Sequence, residues 1–184
     1  MSGVASHAVA AHNGFIQKSL VMLVVGLLVA AAGVAGVGLG ARASRTPVVP
    51  CDDVILQARS GHADGYRVVL GIVSVPPVYL PQVVRSTSRS WPFWRKAGLA
   101  VRSSHMPVTV SVPRAWRRRV AITWGNETPI VSSLRIAACP STPATWNAYA
   151  GGFRLRVRAA CVPLVFKVGS RVATVRFGVG RRCG

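Results

Sequence analysis

Two stretches of this chain concentrate the side chains best suited to chemistry. RSTSRSWPFWRKAG, residues 85–98, interleaves Trp91, Phe93 and Trp94 with Arg89, Arg95 and Lys96, and RAWRRR, residues 114–119, sets Trp116 among Arg114, Arg117, Arg118 and Arg119. Guanidinium forks pair bidentately with phosphate or carboxylate, and indole rings stack on sugars, bases or guanidinium itself. Together they could grip an anionic polymer. A third stretch, GGFRLRVRAAC at residues 151–161, repeats arginine at Arg154, Arg156 and Arg158 with Phe153, Leu155 and Val157 between them. That period of two is the signature of a strand with one apolar and one charged face. The competing account of all three stretches is that arginine stems and tryptophans cover core edges while the charges stay in water.

Catalytic constellations are harder to assemble. The only acids are Asp52, Asp53, Asp64 and Glu127, whereas glycoside hydrolysis needs two carboxyls about 5–10 Å apart across one sugar. Asp52 and Asp53 are neighbours expected on opposite faces of a strand start, and Asp64 and Glu127 sit in the turn contexts HADGY and GNETP. His7, His12, His62 and His105 share no ligand spacing, and no GxSxG elbow occurs. No metal site and no cofactor are expected. The glycine-rich GVAGVGLG lies inside an apolar run, where glycine serves helix packing rather than phosphate binding.

Charge and compartment narrow the function further. Of 184 residues, 23 are Lys or Arg and 4 are Asp or Glu, a formal net charge of +19. Part of the arginine excess fits a GC-rich coding bias, but the scarcity of acids does not. The longest apolar run, residues 19–41, has 23 residues without a charge, and an apolar helix of roughly 20 residues crosses a bilayer. It is expected to be a transmembrane helix or signal anchor, with cleavage near Ala43 as the alternative. Lys18 before the span and Arg42 and Arg45 after it leave orientation by flanking charge ambiguous. Cys51, Cys139, Cys161 and Cys183 all follow the span without a CxxC spacing, which points to two disulfides in an oxidising compartment. Three pairings exist, and Cys139 with Cys161 and Cys51 with Cys183 are preferred. Removing Lys18, Arg42 and Arg45 from the 23 cations leaves 20 against 4 acids, a formal +16 over residues 51–184.

The expected organisation is a tail (1–18), the span (19–41), a linker (42–50) and an extracytoplasmic domain (51–184). Within that domain the period of two dominates. Nine strands are predicted, over residues 53–58, 66–74, 98–103, 107–112, 119–124, 133–139, 152–159, 161–168 and 171–179, with Gly-, Pro- and Asn-rich turns between them. Such a chain reads as all-β, an antiparallel β-sandwich of Ig-like or jelly-roll-like form. Its expected core is Val69, Val110, Val112, Val120, Ile122, Trp124, Leu134, Ile136, Phe153, Leu155, Val157, Leu164, Phe166, Val175 and Phe177.

WGNETPIVSSLRIAACP, WNAYAGGF, CVPL and FGVGRRC, through the spacing of Trp124, Cys139, Trp146, Gly151, Gly152, Cys161 and Cys183, resemble a group of small actinobacterial exported or membrane-anchored proteins. The resemblance is best over the last sixty or so residues, implies compartment and fold, and carries over no catalytic residue. The expectation is a membrane-anchored bacterial surface protein whose basic domain binds an anionic cell-wall polymer, anionic lipid or a protein partner. Nucleic acid would be bound only non-specifically. An envelope hydrolase or transferase is the alternative.

Overall fold

The period of two and the turn residues generate an all-β structure, seen in a computed structural model that describes residues 45–61, 65–141 and 143–184. The tail and the apolar run at 19–41 lie outside the described residues, as do His62 and Asp64. Among the described residues no helix is long and apolar enough to cross a membrane. Residues Ala43–Gly184 form one compact unit.

Fifteen strands are described: β1 (Val48–Val49), β2 (Leu56–Ala58), β3 (Arg67–Val69), β4 (Val73–Val75), β5 (Tyr79–Leu80), β6 (Val84–Arg85), β7 (Phe93–Lys96), β8 (Leu99–Arg102), β9 (Val108–Ser111), β10 (Val120–Trp124), β11 (Ser133–Ile136), β12 (Trp146–Tyr149), β13 (Gly151–Leu155), β14 (Ala160–Val168) and β15 (Arg171–Val179). Short 3-10 turns at Cys51–Asp53 and Arg114–Trp116 are the only helical pieces among them. The strands form a six-stranded sheet, β1-β11-β9-β14-β15-β5, a four-stranded sheet, β10-β13-β7-β6, and a five-stranded sheet, β2-β12-β8-β4-β3. Pairing is antiparallel except where β1 and β5 cap the six-stranded sheet in parallel.

The expected count of about nine strands was therefore too low. The 66–74 stretch is two strands joined by a tight turn, in which Leu70 and Gly71 both adopt positive φ, 52° and 77°, and the Ile72 N–H donates to the Val69 carbonyl at 3.3 Å. A period count sees one apolar run there because the turn carries Leu70 and one glycine. β12 lies in a stretch read as loop, and β1 lies within the stretch read as linker, where Val49 is fully buried. β1, β5 and β6 have two residues each, too short for any periodicity.

The four- and five-stranded sheets share two strands that bend from one into the other. β7 continues into β8 through Ala97–Gly98, and β12 into β13 through Ala150. At the bend the Ala97 N–H donates to the Gly151 carbonyl at 2.8 Å and the Trp124 indole N–H to the Ala97 carbonyl at 2.9 Å. Gly151 and Gly152 sit here because nothing larger fits: a Cβ would lie 2.1 Å from the Thr123 carbonyl oxygen at Gly151, and 2.1 Å from that of Arg95 at Gly152.

The core lies where these sheets meet the six-stranded one. Phe153 on β13 packs edge-on against Trp124, with centroids 5.9 Å apart, and reaches Phe177 on β15 at 5.4 Å. Every expected core residue is buried except Val69, which is half-buried, and Val157, which is 41 % exposed. Val157 fails because β13 stops at Leu155, so residues 156–158 form a bend and no longer alternate. Pro163 is tolerated within β14 because that strand meets β9 only at residues 165–168, leaving one side of the proline unpaired.

The disulfides are Cys51–Cys139 and Cys161–Cys183, with Cα separations of 5.7 and 5.2 Å. The preferred pairing of Cys139 with Cys161 and of Cys51 with Cys183 is corrected. β12 and β13 run between Cys139 and Cys161 and carry the second away, while the C-terminal tail folds back over Gly178, the register partner of Cys161. Two disulfides accord with an oxidising, extracytoplasmic compartment.

Candidate anion-binding face

The four-stranded sheet and its β6–β7 turn carry about half of the aromatic and basic residues singled out in the sequence. Its register aligns Val84 on β6, Trp94 on β7, Arg154 on β13 and Ala121 on β10 in one row. By the alternation of the pleat this row faces away from the core, opposite to Phe93, Leu155 and Val120. The Arg154 guanidinium carbon lies 4.0 Å from the Trp94 ring centroid, and one terminal nitrogen donates to the Ser86 hydroxyl at 3.1 Å. Its Nε is buried without a hydrogen-bond partner among the described residues. Burial pulls the Arg154 pKa below the ordinary guanidinium value.

Arg156, just past the end of β13, lies 5.0 Å over Trp91, and Arg85 lies 5.8 Å over Phe93. The β6–β7 hairpin makes this possible by folding residues 86–92 back beside the end of β13, closed by the Ser86 N–H donating to the Pro92 carbonyl at 2.9 Å. Ser88 orders the turn, its hydroxyl accepting from the Trp91 N–H at 3.2 Å. Beside it Arg89, Ser90, Pro92 and Arg156 line an open cleft of about 400 Å³. The RAWRRR stretch adjoins the same end, since the Arg156 N–H donates to the Arg119 carbonyl at 3.0 Å. Lys96 is two residues from Trp94 on β7 and so falls on the outward face, while Arg119, in the turn before β10, is exposed.

Not every expected residue belongs to this face. Arg95 has the opposite parity on β7, in register with the core residue Phe153. Trp116 is half-buried against the core. The Arg117 Nε donates to the Val112 carbonyl at 3.2 Å, and Arg117 lines a separate cleft of about 370 Å³ with Arg45, Thr46 and Ser132. Arg118 and Arg158 are exposed, the latter in the bend beside Gly180. Sequence reasoning missed Ser86, Ser90 and Pro92 as parts of this region, and also Arg85, which lies over Phe93 on the opposite row, and Arg182, which lies 4.5 Å over Tyr79 of the six-stranded sheet. The signal was present in SRSWP, a turn composition between two short β-prone runs.

Two of the described acids, Asp53 and Glu127, border one cleft of about 240 Å³, but Asp53 is buried and one carboxylate oxygen accepts the Asn126 N–H at 3.1 Å. His105 is exposed on the loop before β9. Among the described residues no three His, Cys, Asp or Glu side chains group as metal ligands would.

The arrangement has a chemical consequence. A guanidinium stacked on an indole covers that ring face, so Trp91 and Trp94 offer less surface for stacking sugars or bases. The guanidinium edge stays in the plane that pairs with an oxyanion, and the stack limits the rotamers it can adopt. No family model, no curated protein and no solved structure matches this chain.

Proposed function

We propose that this chain is a membrane-anchored bacterial surface protein whose basic β-domain binds an anionic polymer of the cell envelope through phosphate or carboxylate groups, without catalysis. The observation that carries this reading is the pair of stacked arginines, Arg154 on Trp94 and Arg156 on Trp91, beside the cleft that Arg156 shares with Arg89. Favourable contacts of this kind are worth roughly 0.5–2 kcal/mol each in holding the side chain. An arginine already ordered in this way gives up less entropy when it pairs with an anion. Support for the setting comes from the two disulfides, the uncharged run at 19–41 and the resemblance to small actinobacterial exported proteins. We also read the packing of the six-stranded sheet against the bent pair of sheets as a sandwich, joined through Phe153 and Phe177.

The test is co-sedimentation of the full chain with phosphate-rich wall polymer, anionic vesicles and DNA across a salt series. Binding to the wall polymer is expected to exceed binding to the other two, to weaken as salt rises, and to be lost in an Arg89→Glu/Arg156→Glu double variant. Absence of polymer binding at low salt, or binding unchanged in the double variant, overturns the reading.

A further inference from the structure

A second basic cleft, of about 370 Å³, opens where the chain first joins the six-stranded sheet. Two arginines, Arg45 and Arg117, and three hydroxyls, on Thr46, Ser132 and Ser133, line it, and none of its lining residues is acidic. Buried Val112 ties the walls together: its N–H donates to the Ser132 carbonyl at 2.8 Å, and its carbonyl accepts from the Arg117 Nε at 3.2 Å. With Nε engaged, Arg117 pairs a ligand end-on, through the fork of its two terminal nitrogens. The segment carrying the serines is fixed as well, since Val131 and Ile122 exchange backbone hydrogen bonds of 2.8 and 3.0 Å. Ser133 begins β11 with a parity opposite to buried Leu134 and Ile136. The other wall is secured by the Arg135 N–H, which donates to the Pro47 carbonyl at 2.8 Å, two residues after Arg45. One guanidinium fork occupies both oxygens of a carboxylate, whereas a phosphate has further oxygens for a second fork and for hydroxyl donors. This donor set fits phosphate.

We propose that this cleft holds the phosphate of a phospholipid head group, with Arg45 and Arg117 pairing its oxygens and the serine and threonine hydroxyls completing the shell. The source of the phosphate follows from chain length. Arg45 stands four residues past Ala41, the last of the uncharged run, a reach of at most about 14 Å. The polar layer on each side of a bilayer is roughly 5–8 Å deep. A run seated in the hydrocarbon therefore keeps Arg45 in or next to the head groups, and two residues later the chain is already part of the domain. The site rests on the membrane-anchored part of the reading above, and not on polymer binding or on Arg89 and Arg156.

The experiment reconstitutes the full chain in vesicles of neutral, phosphate-free galactolipid, with or without phosphatidylglycerol. After an alkaline wash, phenylglyoxal modification of Arg45 and Arg117 is followed by mass spectrometry. The chain is expected to stay with both kinds of vesicle, and phosphatidylglycerol to slow modification of the two arginines about fivefold or more. Arg117→Gln should remove the protection of Arg45, and Arg45→Gln that of Arg117; Arg45 is exposed, so its variant leaves the core intact. Mere nearness to an anionic surface would protect each arginine without the other. Glycerol phosphate added to the galactolipid vesicles should protect neither. Loss of the chain from both vesicles in the wash overturns the anchor, and this site with it. Retention with equal modification in the two vesicles, protection that survives both variants, or equal protection by glycerol phosphate overturns the head-group site alone.

Discussion

Arg154 shows how one side chain on a strand acquires a fixed orientation. Trp94 covers its face, Ser86 takes one terminal nitrogen, and partial burial follows from its place in the middle of a four-stranded sheet. Lysine keeps the charge but has neither a planar surface to stack nor a fork for Ser86. Arg154→Lys is therefore expected to cost about 1–2 kcal/mol in urea unfolding, while Arg156→Lys, at an exposed position, stays within about 0.5 kcal/mol. Tyr149 is a second residue set by its surroundings. It is buried, its hydroxyl donates to the Cys139 sulfur at 3.6 Å, and burial together with nearby Asp53 pushes its pKa from 10.0 up to about 12. A raised pKa means the folded state holds the proton more tightly, so this contribution is complete below about pH 10 and is lost as pH rises toward about 12. Between about pH 9 and pH 11 the wild-type chain should lose roughly 1.4 kcal/mol that a Tyr149→Phe variant does not, measured by denaturant midpoints.

Elements depend on positions where side chains are absent or cross-linked. At the bend between the two shared sheets, Gly152→Ala would drive a Cβ into the Arg95 carbonyl oxygen at 2.1 Å, and backbone cannot move aside as a side-chain tip can. Loss of about 3 kcal/mol or more is expected in thermal or urea unfolding. Gly71→Ala makes a control, because a Cβ there meets nothing within 4 Å and only the positive φ is strained, a cost of about 1–2 kcal/mol. Equal losses at the two sites would refute close backbone approach as the reason for glycine at the bend. The disulfides act on the unfolded chain by loop closure. Their sequence separations of 88 and 22 residues translate into about 4.5 kcal/mol for Cys51–Cys139 and about 3.5 kcal/mol for Cys161–Cys183. Paired serine variants should rank in that order in urea midpoints.

Across the whole molecule, the stacked arginines and an uncharged row lie on different sheets. The four-stranded sheet displays stacked arginines outward and the five-stranded sheet the row Leu56, Ala148 and Ala100, while the six-stranded sheet supplies much of the core between. A formal +16 over residues 51–184 draws anions to the domain at large, so affinity alone does not locate a site. The salt dependence does: each phosphate contact made by a cation adds roughly 0.7–0.9 to the slope of log K against log salt. Replacing Arg89 and Arg156 by alanine should lower that slope for wall polymer by about 1.5, and replacing exposed Arg171 and Arg176, on β15 of the six-stranded sheet, should leave it within about 0.3 of wild type.

The all-β class was legible in the sequence because a half-buried strand writes its burial as alternation, and thirteen of the fifteen expected core positions are buried on that account. The grouping of basic and aromatic residues was legible too, since charge and ring count do not depend on folding. Register, pairing and facing were decided only by tertiary contacts. The Cys51–Cys139 link follows from the parallel pairing of β1 with β11, which brings together the residues after each strand, a pairing that residue spacing does not encode. In the same way Arg154 and Arg156, read together from their alternation, meet Trp94 and Trp91 through a hairpin about sixty residues earlier, whereas Arg158 leaves them at a bend. Alternation states which face a residue takes, and only the folded chain states what lies across from it.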